Sequence, residues 1–185
     1  MLPLVPLALI GVGVYAFWRN SNPQASSPVS DAVSTIEQTA SDVVQSITDL
    51  FPKAAPYADA INTAQNQYGI PNNYLGKLLN AESSYDPAII SGQRKSSTGA
   101  TGIAQFMPAT ASDLGVNPTD PIASIDASGK YLSQLFAKFQ DWPTAIAAYN
   151  WGMGNVEKKG LAKAPAETVN YVKKIAGVDI TQSGS

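Results

Sequence analysis

Between about residues 55 and 178, apolar side chains recur at helical spacing in short runs, and each run is bounded by glycine or proline. "PYADAINTAQNQYG" reads as a helix stopped by Gly69, and "PNNYLGKLLNAES" as a second that starts near Pro71. "MPATASDLG" reads as a short third helix, with Pro108 in its first turn and Gly115 at its end. In "DPIASIDASGKYLSQLFAKF", Ile122, Ile125, Ala127, Tyr131, Leu132, Leu135 and Phe136 fall along one face. "WPTAIAAYN" and "PAETVNYVKKIAG" complete the set. Only 92–105, rich in Gly, Ser and Thr, has room for a small β-hairpin, and no internal repeat is visible. The expected fold is a compact, mainly α domain.

The chain ahead of this domain has a different character. Residues 1–18, "MLPLVPLALIGVGVYAFW", contain no charged side chain and end in an aromatic cluster before Arg19. Their length lies at the lower limit for a membrane-spanning helix. A retained anchor over 1–19, contacting a lipid membrane through 1–18, is the favoured reading. A cleaved signal peptide is the rival, although the stretch lacks the basic start that such a peptide needs. One Arg after the span is too little charge bias to orient it.

"NSNPQASSPVS" (20–30) reads as a linker. In 30–51, Val33, Ile36, Ala40, Val43, Ile47 and Leu50 are spaced 3, 4, 3, 4, 3, a helical stripe with Ser30 as N-cap and Asp31 in the first turn. This helix is expected to pack on the next domain, bind a protein partner or self-associate. Residues 20–52 carry Asp31, Glu37, Asp42 and Asp49 and no Lys or Arg, a net −4, whereas 53–185 hold 11 basic and 10 acidic side chains, a net +1. That shift suggests a boundary near 51–56. The expected organisation is an anchor (1–19), a linker with an acidic amphipathic helix (20–54), a catalytic domain (55–178) and a flexible tail (179–185).

Composition narrows the chemistry. The 185-residue chain has no histidine and no cysteine, which argues against a zinc, copper or haem site, and no metal or other cofactor is expected. A net charge of −2 provides no basic field for nucleic acid, so no nucleic-acid partner is expected. The commonest catalytic side chains are missing, and attention falls on Glu82 in "NAESSYDP". It follows Leu78 by four residues and Leu79 by three, on their side of the helix. A carboxyl half-buried there loses solvation in its charged form, so its pKa rises and it can act as a general acid near neutral pH. A surface glutamate paired with Lys77 is the plain alternative. "STGATGIAQFMPATA" (97–111) adds two glycines and the amide Gln105, and "AIAAYNWGMGN" (145–155) adds Tyr149, Asn150 and Trp151. Aromatic faces beside amides suit sugar rings.

In this order, "ESSYDP", "GATGIAQFMPATA", "AAYNWGMGNV" and "ETVNYV" resemble the four successive motifs of the soluble lytic transglycosylase type of peptidoglycan lyase. That domain is similar to goose-type lysozyme within the lysozyme-like superfamily. The resemblance covers about residues 55–178. It implies a lysozyme-like helical fold and non-hydrolytic cleavage of the β-1,4 bond between N-acetylmuramic acid and N-acetylglucosamine in peptidoglycan glycan strands. Glu82 matches the sole acid/base, which protonates the glycosidic oxygen and then accepts the muramic 6-hydroxyl proton as a 1,6-anhydro ring closes. The nucleophile belongs to the substrate, so no second carboxylate of the ordinary two-carboxylate kind is needed. The resemblance also implies that Ser83 helps hold Glu82 and the substrate, that Gln105, Met107, Tyr149 and Asn150 line the cleft, that Tyr171 lies near the catalytic carboxyl, and that Glu167 supports the site.

Three departures stand out. "SGQRKSSTGA" (91–100) is longer and more basic than the usual link, and Arg94 and Lys95 are either contacts to stem-peptide carboxylates or a solvated loop tip. Ala104 stands where methionine is common, and Trp151 is bulkier than the small residue usual after "AYN". The expected setting is a membrane-anchored enzyme facing peptidoglycan. It would sit either in a bacteriophage virion's internal membrane, opening the wall for a genome to enter, or in a bacterial inner membrane serving an envelope-spanning machine. A non-catalytic peptidoglycan-binding module and a hydrolytic muramidase are the rival functions.

Overall fold

A computed structural model describes residues 28–71 and 73–182. The anchor expected over 1–19 and most of the linker lie outside the described residues. Among the described residues, no helix is long and apolar enough to cross a membrane. The chain divides into two compact units, Met1–Asp42 and Val43–Ser185.

The first described helix, α1 (Pro28–Leu50), includes residues of both units. It begins at Pro28 rather than after a Ser30 cap, because proline is preorganised for the first turn and lacks an N–H that would go unbonded there. The second unit starts at Val43, ahead of the boundary that composition suggests at 51–56. The reason is Ile47, which is fully buried in that unit's core. Polarity changes after Leu50, but the packing boundary comes earlier.

The second unit continues through a 3-10 turn (Pro52–Tyr57) into α2 (Ala58–Tyr68) and α3 (Tyr74–Ser83). Gly69 ends α2 in the left-handed region at φ 63°, where a side chain would be strained, and its N–H bonds the Gln65 carbonyl. α3 starts later than Pro71 suggests, since Asn73 takes a left-handed conformation at φ 68° ahead of it. A short α4 (Pro87–Ile90) is capped by the Asp86 carboxylate, which accepts the Ala88 N–H at 2.9 Å. The expected hairpin over 92–105 reduces to a single antiparallel bridge, Thr101 to Phe106, because the chain turns back within the intervening tight loop. No strand forms among the described residues.

α5 (Pro108–Leu114), α6 (Pro121–Phe139), α7 (Trp142–Trp151), α8 (Met153–Lys159) and α9 (Ala166–Ala176) follow. Asp120 and Asp141 cap α6 and α7 through their side chains. α7 is the central helix: Ala145, Ile146, Ala147 and Ala148 are all 0% exposed, and α6 and α9 both pack against it. A helix apolar on every side is stable only when wrapped in this way. α2 lies close on α6 because Gly129 faces Tyr68 and Ala64, where a Cβ would come within 2.8 Å of the Tyr68 ring. Leu75, Leu78 and Leu79 are fully buried on α3, each contributing roughly 2 kcal/mol from burial. They fix the face from which Glu82 projects. After α9 the chain forms one more 3-10 turn, Ile180–Gln182. Ile180 is buried in the core, so the start of the tail expected over 179–185 is held by apolar packing.

Candidate active site

Glu82 sits in the last turn of α3, and the chain leaves that helix by a tightly specified turn. Ser84 and Tyr85 both take φ 51°, a left-handed conformation unusual for non-glycine residues and a local strain. Their surroundings hold them there. Ser83 Oγ donates to the Leu79 carbonyl at 3.1 Å and accepts the Tyr85 N–H at 3.2 Å, and the buried Tyr85 hydroxyl donates to the Gly76 carbonyl at 2.7 Å. The Arg94 guanidinium then pairs with Asp86 at 2.7 Å, tying the 91–100 loop to the α4 cap.

Glu82 opens into a cleft of about 550 Å³. Tyr171 on α9 reaches across to it and donates its hydroxyl to Glu82 Oε1 at 2.5 Å. Burial pushes the Glu82 carboxyl up, the Tyr171 hydrogen bond pulls it down, and the Glu167 charge pushes it up again, which together leave it at about 7. Burial, followed by the Glu82 charge, holds the Tyr171 phenol well above its ordinary range, so it remains a donor. Glu82 is therefore no surface glutamate paired with Lys77, whose ammonium instead donates to the Ile175 carbonyl at 3.4 Å.

The opposite wall comes from the loop before α5 and from the end of α7. Gln105 sits at φ 49°, and its side-chain nitrogen donates to the Gly102 carbonyl at 2.9 Å, leaving the amide oxygen for the cleft it lines. Gly102 permits this loop, since a Cβ there would lie 1.7 Å from the Pro118 carbonyl oxygen. Met107 lines the same cleft and is 42% exposed. Tyr149 packs beside Tyr131 and Phe106, with its hydroxyl 3.4 Å from both the Ala104 carbonyl and Ser128 Oγ. Asn150 accepts the Thr168 hydroxyl at 2.7 Å on its amide oxygen, so its nitrogen is left to donate into the cleft. Glu167 at the start of α9 completes this side.

Of the residues expected at the site, Glu82, Gln105, Met107, Tyr149, Asn150, Glu167 and Tyr171 all line one cleft. Ser83 does not. It is 1% exposed and uses its hydroxyl on the helix end, because the residue after Glu82 on a helix points about 100° away. Arg94 pairs with Asp86 at the exposed loop tip and is not among the residues lining the cleft. Ser96, Thr98, Thr110, Phe106 and Tyr131 also line the cleft, and spacing alone does not mark them as site residues. Tyr131 in particular lies on the apolar stripe of α6, which carries no signal separating core from cleft. Thr168 carries no such signal either, although the hydroxyl beside Glu167 is what orients Asn150.

Residues 59–172 match the Transglycosylase SLT domain. The chain is 32% identical over 123 residues to the "Transglycosylase" of Enterobacteria phage PRD1, covering 66% of this chain and 42% of that protein. It is 31% identical over 149 residues to the "Peptidoglycan transglycosylase gp16" of Escherichia phage T7, covering 70% of this chain and 11% of that one. A third relative, "Membrane-bound lytic murein transglycosylase F" of Stutzerimonas stutzeri, is 33% identical over 118 residues, 58% of this chain and 23% of its own length. The chain thus spans less than half the length of each of these relatives. Since the matched domain covers more than half of the sequence and contains every residue lining the Glu82 cleft, this chain belongs to the transglycosylase SLT domain family.

Proposed function

We propose that this chain is a peptidoglycan lytic transglycosylase in which Glu82 serves first as general acid and then as general base. The observation that carries the reading is the half-buried Glu82 carboxyl, with its pKa raised to about 7 and its position fixed by the Tyr171 hydroxyl in a cleft wide enough for sugar rings. At neutral pH about half of such carboxyls hold a proton. The protonated Glu82 gives it to the glycosidic oxygen as the bond to the muramic C1 breaks, and the N-acetylglucosamine side leaves with a free 4-hydroxyl. The Glu82 carboxylate then takes the proton of the muramic 6-hydroxyl, whose oxygen bonds C1 and closes the 1,6-anhydro ring. Glu82 ends protonated, as it began, and no water is consumed. Gln105, Tyr149 and Asn150 position the sugars, and Tyr171 stabilises the carboxylate between its two tasks. Ser83 contributes by fixing the helix end that carries Glu82.

Glu167 supports a second reading, hydrolysis, because it is another carboxylate lining the same cleft. In the proposed site it acts on Glu82 through charge. The setting is proposed from the charge-free stretch 1–18, together with relatives from phages and one named as membrane-bound: a membrane-anchored enzyme that opens the wall locally, for a phage genome or an envelope-spanning machine. Mass spectrometry of purified peptidoglycan digested by the full chain, beside Glu82→Gln, tests the chemistry. Products ending in 1,6-anhydromuramic acid that vanish in the variant are expected. Reducing-end products lost in Glu167→Gln would establish hydrolysis instead, and binding without products would leave a non-catalytic wall-binding module.

A further inference from the structure

Among the described residues, the cleft wall contains two carboxylates, Glu82 and Glu167, and no Lys or Arg. The substrate class proposed above is anionic where its stem peptides carry free carboxylates, so a cation is wanted at the rim. Arg94 is committed to Asp86, and Lys138 to Glu157 at 2.6 Å. Lys159 has no acidic partner among the described residues, and its ammonium lies 5.3 Å from the centroid of the Trp151 ring. That distance is within cation–π range. Trp151 itself lines the cleft, immediately after Tyr149 and Asn150.

The backbone fixes this pair. Gly152, at φ 90°, breaks α7 directly after Trp151, and α8 then carries the chain back to Lys159. Asn155 Nδ2 donates to the Trp151 carbonyl at 2.7 Å and holds the junction. Lys159 is exposed, so its charge is available to a ligand that reaches the Trp151 ring.

We infer that Trp151 and Lys159 form a stem-peptide subsite, the indole packing the apolar part of the stem and the ammonium pairing with a stem carboxylate. The inference rests on the peptidoglycan reading, and it makes the bulky Trp151 a specificity determinant for peptide-bearing strands over bare glycan.

The experiment measures binding by the full chain, in the Glu82→Gln background, to glycan strands with stem peptides and to the same strands stripped of them, with product formation followed separately in the chain with Glu82 intact. Preference for peptide-bearing strands is expected, and Lys159→Gln lowers that preference about threefold at low salt. Lys159→Arg retains it, Trp151→Leu lowers it, and Lys158→Gln, on the neighbouring lysine, leaves it in place. A wild-type chain without preference, or a preference untouched by Lys159→Gln, overturns the subsite. Selective binding without products from the Glu82 chain supports the subsite and sinks the lytic reading. Anhydro products without selectivity do the reverse.

Discussion

The Tyr171 hydroxyl donates to Glu82 Oε1 at 2.5 Å across 89 residues of sequence, joining the end of α3 to the middle of α9. The bond favours the ionised carboxyl, whereas burial and Glu167 favour the protonated one. The acid therefore sits near neutrality as a balance of opposing causes.

Tyr171→Phe removes the lowering influence, so the Glu82 pKa rises above about 7 and the alkaline limb of the pH–rate profile moves to higher pH. Loss of a charge-assisted hydrogen bond also lowers kcat, by about tenfold. Glu167→Gln removes a raising influence and moves the limb the other way. Limbs that stay in place in both variants would show that another group sets the profile.

Glu82→Gln abolishes turnover and changes stability with a definite sign. The folded pKa, about 7, lies above the ordinary value of 4.5, so the folded state prefers the protonated carboxyl. Its contribution is fully present below 4.5 and is lost as pH rises through 7. Glutamine cannot ionise, so the variant gains stability over the parent at pH 8 by on the order of 2 kcal/mol, and gains little at about pH 4. Denaturant titrations at the two pH values measure the difference; an equal shift at both would refute the linkage.

Gln65 on α2 is 1% exposed, and neither its side-chain oxygen nor its nitrogen has a hydrogen-bond partner among the described residues. Gln65→Met keeps the shape and removes the stranded amide, so stability rises by about 1 kcal/mol. Chemical denaturation reads this directly. A loss of stability would mean that the amide is bonded in solution.

Gly102→Ala sets a Cβ 1.7 Å from the Pro118 oxygen in a backbone at φ 82°. The 101–106 loop must move, carrying Gln105 with it. Activity is expected to fall by about tenfold or more and stability by about 2 kcal/mol. Near-normal activity would show that the loop position is not needed for the reaction.

Helix stops at Gly69, Gly115 and Gly177 were legible because a left-handed terminus favours glycine locally. The starts at Pro108 and Pro121 were legible for the matching reason, a fixed φ and a missing donor. Glu82 stood out because Leu78 and Leu79 assign its helix face, and its cleft partners because the four motifs carry a resemblance. Ser83 reads differently in the structure because hydrogen bonding depends on neighbours that spacing does not reveal, here the Leu79 carbonyl and the Tyr85 N–H, and the Asp86 partner of Arg94 is hidden from spacing for the same reason. Sequence alone determined the helical punctuation and the helix face from which Glu82 projects, both set by short-range sterics and periodicity. Only the tertiary structure decided the protonation balance of Glu82, the turn of Asn150 toward the cleft and the seating of Ile47, since each depends on groups that folding brings together from distant parts of the chain.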